Sequence, residues 1–223
     1  MELTKEQIKY IDDLLYDSGI KYWDVRIELL DHVVSEIEHQ LQTNSDFKTM
    51  VFEVFKKIGW KENFNGSNFE ELIKDHHNNF YKKVRKSFSK AMKEDLSSPL
   101  IITVCLVLLY FFYEVAHYKE LFKYFSLLII LVPLFSLIFF FTRKMFYRSI
   151  YLNHVSSIAF FSLSIFNCSI YLPKMFFDFN VFNYPILVAV IFGLTTIQTT
   201  LGIKFFFKEF EKINNVYKKL MTL

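Results

Sequence analysis

The chain has 223 residues, 28 of them Phe, and it carries 26 Lys and Arg against 23 Asp and Glu. The net charge of +3 is small and the basic residues cluster beside apolar segments, so no nucleic-acid partner is predicted. Nearly all charged residues lie before Pro99, between Thr142 and His154, and after Ile203. This separation of charged and apolar segments predicts an integral membrane protein with a soluble N-terminal part.

The predicted fold class is all-α, an N-terminal cytoplasmic helical bundle followed by four transmembrane helices. The bundle is expected over residues 1–80 and a basic amphipathic juxtamembrane helix over residues 81–98. A four-helix transmembrane domain is expected over residues 99–205, followed by a basic cytoplasmic tail over residues 206–223.

The N-terminal bundle is predicted from helix signals in chain order. Thr4 and Gln7 have the spacing of a capping box, and Ser18-Gly19 is expected to end this first helix. Three more helices follow from apolar residues at i, i+3 and i+4 spacing. Their core-facing residues are predicted to be Ile27, Leu30, Val34, Ile37 and Leu41, then Phe47, Val51, Val54, Phe55 and Ile58, then Phe69, Leu72, Ile73, His76 and Phe80. Gly59 is expected to cap the third helix.

The second and third helices contain a characteristic residue order: Ile27-Glu28-Leu29-Leu30-Asp31-His32, then Glu36, Phe52 through Val54, and Lys57-Ile58-Gly59. This order resembles the HAAS domain, a helical module at the cytoplasmic N-terminus of small bacterial membrane proteins, often found beside PadR-like transcription regulators. The resemblance extends over about Thr4 to Trp60. Gly59-Trp60-Lys61 stands where the family commonly has a Gly-Asp-Pro turn. The resemblance implies a signalling or regulatory membrane protein and brings no catalytic residues.

One polar face of the second helix is the candidate partner-binding site, comprising Glu28, His32, Glu36 and His39. These residues fall on successive turns and are expected to be exposed. The same pattern is also typical of a solvated face with favourable i, i+4 pairs. Glu36 and His39 have the E-x-x-H spacing of metal ligands, but no second copy of the motif is present. We therefore predict no metal site and no cofactor.

The juxtamembrane helix has an apolar face, formed by Phe80, Val84, Phe88 and Ala91. Lys82, Lys86 and Lys93 lie on the opposite face. This pattern fits a helix on the anionic cytoplasmic leaflet and equally a solvated helix that leads from the bundle to the membrane.

The predicted transmembrane helices are Pro99 to His117, Leu121 to Phe141, Val155 to Leu172 and Pro185 to Ile203. The distribution of Lys and Arg in their flanks places both termini in the cytoplasm, in a multi-pass protein of the inner membrane. No carboxylate or cation lies in the middle of a predicted span, so an ion-coupled path is not indicated. Helix packing is the expected role of the polar residues within the spans, Asn167, Thr195, Gln198 and Thr199.

These observations favour a membrane-anchored regulatory or adaptor protein whose helical domain binds a cytoplasmic protein partner. The alternatives are a small transporter or channel subunit and, with less support, a membrane-bound metalloenzyme. An enzyme is not predicted, because no catalytic motif occurs. The lipid bilayer is the other expected partner, and homo-oligomerisation is left open.

Overall fold

The computed structural model describes residues 2–40, 46–61, 69–118 and 148–221, together with Tyr124, Leu131, Phe135 and Ile138. Within these residues all regular secondary structure is helical, as the sequence predicts. The helices are α1 (Lys5–Asp17), α2 (Trp23–Gln40), α3 (Phe47–Lys57), α4 (Glu70–Leu96), α5 (Pro99–Val115), α6 (Ile150–Ala159), α7 (Phe161–Phe177) and α8 (Pro185–Met221), with a 3-10 turn at Val181–Asn183 before α8.

The chain divides into two compact units. The first contains Met1–Lys82 and Tyr147–Tyr151, and the second contains Lys83–Phe146 and Leu152–Leu223. Helices α4 and α6 each begin in the first unit and continue into the second.

The ends of α1 and α3 follow the predicted signals. The Thr4 hydroxyl accepts a hydrogen bond from the Gln7 amide, and the Gln7 side chain accepts one from the Thr4 amide, which completes the capping box. Gly19 and Gly59 follow the two helices with φ of +101° and +103°. This conformation is costly for residues with a Cβ, so each glycine can close its helix in a left-handed C-terminal turn.

The core of the first unit differs from the prediction in the register of α2. Its buried residues are Trp23, Val25, Leu29, Val33 and Ile37. Leu30 and Val34, predicted to face the core, are only half-buried. Helix α2 packs against both α1 and α3. Its apolar surface is therefore broader than a single stripe, and the row spaced by four residues from Val25 lies at the centre.

One core residue of the first unit comes from far along the chain. Ile150, at the start of α6, is fully buried and belongs to the same hydrophobic cluster as Ile11, Leu29 and Phe55. The ring of Tyr151 contacts the ring of Phe80 at 5.9 Å between centroids. The bundle core is therefore completed by the segment Arg148–Tyr151, which the sequence prediction had not included.

In the second unit, α8 is long and apolar enough to cross a membrane by itself. Two bent pairs have comparable length and composition, α4 with α5 and α6 with α7, so the described residues hold between one and three candidate membrane-crossing helices. The predicted spans Pro99–His117 and Pro185–Ile203 correspond to α5 and the first half of α8. The predicted span Leu121–Phe141 lies outside the described residues, apart from four single positions.

The predicted span Val155–Leu172 is not one straight helix. It is interrupted at Phe160, and α6 meets the Leu163–Phe177 part of α7 at a bend of 45°. The hydroxyls of Ser156 and Ser157 both donate to the Asn153 carbonyl at 2.9 Å, just before the break. Such bonds compete with the helix ladder and favour bending.

Candidate functional site

The predicted partner-binding face of α2 flanks the core. Glu28, His32 and His39 are exposed, whereas Glu36 is half-buried. At 100° per residue, Glu36 lies closest to the buried row that ends at Ile37, so its side chain reaches the neighbouring helix. The face therefore combines one half-buried residue, Glu36, with three exposed ones.

Glu36 links α2 to α3. Its carboxylate accepts hydrogen bonds from Lys57 Nζ at 3.0 Å and from Gln40 Nε2 at 2.8 Å. The hydrogen bond from Lys57 is the main cause that lowers the pKa of Glu36 below its usual value, and the Gln40 bond acts in the same direction. Glu36 thus remains ionised and holds the two helices together at their polar edge.

Glu28 faces α4. Its carboxylate Oε2 lies 3.7 Å from Nδ1 of His76, which is an ion pair when the imidazole is protonated. His76 also packs against the Phe80 ring at 5.9 Å between centroids. His76 is half-buried, at a position that the sequence predicts to face the core.

His32 and His39 remain as the exposed imidazoles of this face. Across the described ranges, no group of three or more His, Cys, Asp or Glu side chains is arranged to hold a metal ion. The two residues of the E-x-x-H pair have different surroundings. Glu36 accepts a hydrogen bond from Lys57, whereas His39 is exposed.

A second polar site lies at the N-terminal end of α2 and was missed from the sequence. The Asp24 carboxylate accepts hydrogen bonds from the Ser149 hydroxyl and the Tyr151 amide, each at 2.9 Å, and from the Ile150 amide at 3.3 Å. The Trp23 amide donates to the Arg148 carbonyl at 3.0 Å. Asp24 therefore accepts hydrogen bonds from first-turn amides of α6 that have no acceptor within their own helix. Its negative charge also interacts favourably with the positive end of the helix dipole.

Some of this second site was readable from the sequence. Ser149 precedes an apolar helix start, which is a recognised N-terminal signal. The partner could not be identified, because Asp24 and Ser149 are 125 residues apart and only the tertiary fold brings them together.

The polar residues predicted to pack helices in the second unit differ in exposure. Thr195 and Thr199 are buried, Gln198 is half-buried and Asn167 is exposed. The Thr195 hydroxyl donates to the Ile191 carbonyl at 2.7 Å, one turn back in α8. The hydroxyls of α8 are thus satisfied largely within their own helix, since Thr196 and Thr200 make the same kind of bond.

Two glycines of α8 lie where neighbouring helices come close. A Cβ on Gly193 would collide with the Leu109 side chain of α5, and a Cβ on Gly202 would collide with the Ala159 backbone of α6. Small residues allow this close approach between helices, as is common in membrane proteins.

The predicted membrane-surface lysines Lys82, Lys86 and Lys93 are exposed on α4. Val84, on the apolar face, is fully buried, and the Phe88 ring contacts the Phe205 ring of α8 at 5.2 Å. The apolar face is therefore used in protein packing, and the basic face is exposed.

Comparison with known proteins assigns no relative: no family model matches the chain, and no curated protein or solved structure matches it significantly.

Proposed function

We propose that this is a membrane-anchored regulatory or adaptor protein whose cytoplasmic helical unit binds a protein partner through α2. One observation carries the proposal: α2 presents exposed His32 and His39 along its length and holds the first turn of α6 through Asp24 at its beginning. A partner that displaces α2 would thereby disturb the start of α6, which continues into the second unit. The resemblance to the HAAS domain favours the same regulatory class.

The proposal places the protein in the inner membrane with four spans and both termini in the cytoplasm. The apolar character of α8 and of the bent pairs supports insertion into a bilayer. Clusters of basic residues before Pro99, after Thr142 and after Ile203 support the orientation.

The second unit offers less support for a transporter. Thr195, Thr196 and Thr200 donate their hydroxyl protons to carbonyls of their own helix. Those donors are consequently not directed at a substrate, and a packing role for the polar stripe is the simpler interpretation.

The experiment is site-specific photo-crosslinking in intact cells that express the full chain. A photoreactive amino acid replaces His32 or His39, and a matched control carries it at Glu53, an exposed position of α3. We expect a discrete cytoplasmic protein adduct from the two α2 positions and none from the control. The adduct is identified by mass spectrometry and reproduced with the purified partner.

A follow-up measurement tests the regulatory part. Binding of the purified partner should change amide hydrogen exchange at Ile150 and Tyr151, which Asp24 holds. Adducts of equal yield at all three sites, or none at α2, would contradict the partner-binding surface. A specific adduct without any change in amide hydrogen exchange at the start of α6 would support partner binding alone. It would contradict the idea that Asp24 transmits partner binding to α6.

A further inference from the structure

The junction between α4 and α5 is a sharp bend. The two helices meet at 85° and are separated by Ser97 and Ser98. Pro99 occupies the first turn of α5, and Ser98 before it is extended, with φ −74° and ψ 124°. A proline disfavours helical backbone at the preceding residue, so α4 cannot continue into α5. The bend therefore follows from the local sequence.

Contacts with α8 give independent evidence for the direction of α4. Asp95 pairs with Lys204, and the Phe88 ring contacts the Phe205 ring. The two residues of α4 are about 10 Å apart along its axis, whereas their partners are adjacent and only about 1.5 Å apart along α8. Helix α4 therefore crosses α8 at a steep angle.

The crossing point coincides with the end of the apolar part of α8. Residues 185–203 contain no charged side chain, and Lys204 is the first one that follows. In a membrane-spanning helix, such a change marks the boundary between the hydrocarbon layer and the headgroups. If α5 and α8 cross the bilayer, α4 lies at the cytoplasmic boundary and runs along the membrane plane.

The face of α4 opposite these contacts is basic. Its exposed cationic residues are Lys82, Lys83, Arg85, Lys86, Lys90 and Lys93. Lys90 lies 3.9 Å from Glu94, and within the described part of the chain the other five form no ion pair. Since Phe88 of the apolar face packs against α8 and Val84 is buried, this helix is suited to electrostatic contact with headgroups and not to insertion among acyl chains.

We propose that the basic face of α4 binds the headgroups of anionic phospholipids in the cytoplasmic leaflet. This proposal rests on the membrane placement given above and is independent of the protein partner. The long lysine and arginine side chains reach the phosphates, and the geometry fixes the helix parallel to the surface. Of the two interpretations of the juxtamembrane sequence, the proposal adopts the membrane surface.

The test uses the full chain in lipid nanodiscs. After Cys105→Ala and Cys168→Ala, a fluorophore is attached at Ser89→Cys, an exposed position on α4. Quenching is compared between phosphatidylglycerol and phosphatidylcholine that carry the same nitroxide at the end of the acyl chain nearest the headgroup. We expect the anionic lipid to be preferred at least about fivefold, the effect of roughly one engaged charge, and the preference to fall in 1 M salt.

The variant removes four of the six charges by Lys83→Gln, Arg85→Gln, Lys86→Gln and Lys93→Gln, and its preference for the anionic lipid should fall severalfold toward one, because most of the electrostatic attraction is lost. A matched control removes four exposed lysines of the bundle by Lys5→Gln, Lys9→Gln, Lys48→Gln and Lys56→Gln, and should retain the preference. Equal quenching by both lipids in the unaltered chain, or an unchanged preference in the α4 variant, would overturn the proposal.

A second label separates this proposal from the membrane placement. A fluorophore at Leu194→Cys, exposed in the apolar part of α8, should be quenched by nitroxides deep in the acyl chains. Quenching at position 194 without lipid preference at position 89 contradicts only the α4 proposal. Absence of quenching at position 194 contradicts the membrane placement itself.

Discussion

The Asp24 carboxylate accepts a hydrogen bond from the Ser149 hydroxyl at 2.9 Å, across 125 residues of chain. The same carboxylate accepts the Tyr151 amide, so one side chain of α2 holds the first turn of α6. This relationship makes Arg148–Tyr151 a part of the N-terminal unit. It also connects the helix that carries the candidate partner face to the first turn of α6.

Replacement of Asp24 by alanine should loosen the first turn of α6. The buried amides of Ile150 and Tyr151 would lose their acceptor, at a cost of about 1–3 kcal/mol. We expect hydrogen exchange at these amides to accelerate by about fivefold to a hundredfold, since each 1.4 kcal/mol is a factor of ten. Asp31→Ala, at an exposed position of the same helix, is the control and should leave this exchange unchanged. Equal protection of these amides in Asp24→Ala and in the unaltered chain would show that Asp24 does not stabilise the first turn of α6.

Ile150 should contribute to the stability of the N-terminal unit even though it lies far away in sequence. Its side chain is fully buried in the bundle core, so Ile150→Ala should lower the free energy of unfolding of that unit by about 2–4 kcal/mol. Urea unfolding followed by the fluorescence of Trp23 and Trp60, both in this unit, measures the change. Ile102→Ala, at an exposed position of α5, serves as the control. An effect no larger than that of the control would contradict the assignment of Ile150 to the core.

A fragment of residues 1–82 provides a second test of the same contact. The fragment contains every residue of the bundle core except Ile150. We expect the fragment to gain stability when a peptide of residues 147–156 is added, as any ligand that binds only the folded state stabilises it. The same peptide with Ile150→Ala should have a much smaller effect in thermal unfolding followed by circular dichroism.

The two glycines of α8 should differ in their tolerance of alanine. Gly202→Ala places a methyl group against the Ala159 backbone, which cannot move without shifting α6, and should destabilise the protein by about 1–3 kcal/mol. Gly193→Ala meets the end of the flexible Leu109 side chain, which can change rotamer. That substitution should be close to neutral, because alanine also favours the helix by about 1 kcal/mol. Thermal unfolding in detergent compares the two, and the opposite ranking would exclude the described packing.

The Glu36 carboxylate should make a pH-dependent contribution to stability. Its pKa is lowered in the folded protein, chiefly by the hydrogen bond from Lys57, so the contribution is present above the unfolded pKa and is lost as pH falls through the folded pKa. Glu36→Gln should therefore be less stable than the unaltered chain at neutral pH and converge with it in acid. Denaturation across pH 2–7 measures the difference, with Glu53→Gln, at an exposed position of α3, as the control. A difference independent of pH would argue against the Lys57 pairing.

Cysteine labelling in a cysteine-free chain tests the proposed topology. Single cysteines in place of Lys86, Lys144 and Lys218 should resist a membrane-impermeant thiol reagent in intact cells, while those in place of Lys119 and Lys174 should react. The reason is the positive-inside distribution of charge. All five positions must react after the cells are opened, which controls for accessibility. Labelling of the cysteine at position 144 from outside would exclude the four-span arrangement.

Local features were determined by the sequence itself. The capping box at Thr4 and the left-handed turns at Gly19 and Gly59 depend on residues within one turn of each other, so the sequence contains all that is needed to place them. The all-helical character follows in the same way from the period of the apolar residues. The bend before α5 needs only Pro99 and its predecessor.

Tertiary structure decided which apolar and polar groups meet. The buried row of α2 passes through Leu29 and Val33, because α1 and α3 pack on both sides of the helix, and periodicity cannot show how many neighbours a helix has. The partner of Asp24 and the burial of Ile150 depend on a contact between segments more than a hundred residues apart. Such contacts result from the packing of the whole unit, since a local pattern specifies the face that must be buried but not the segment that covers it.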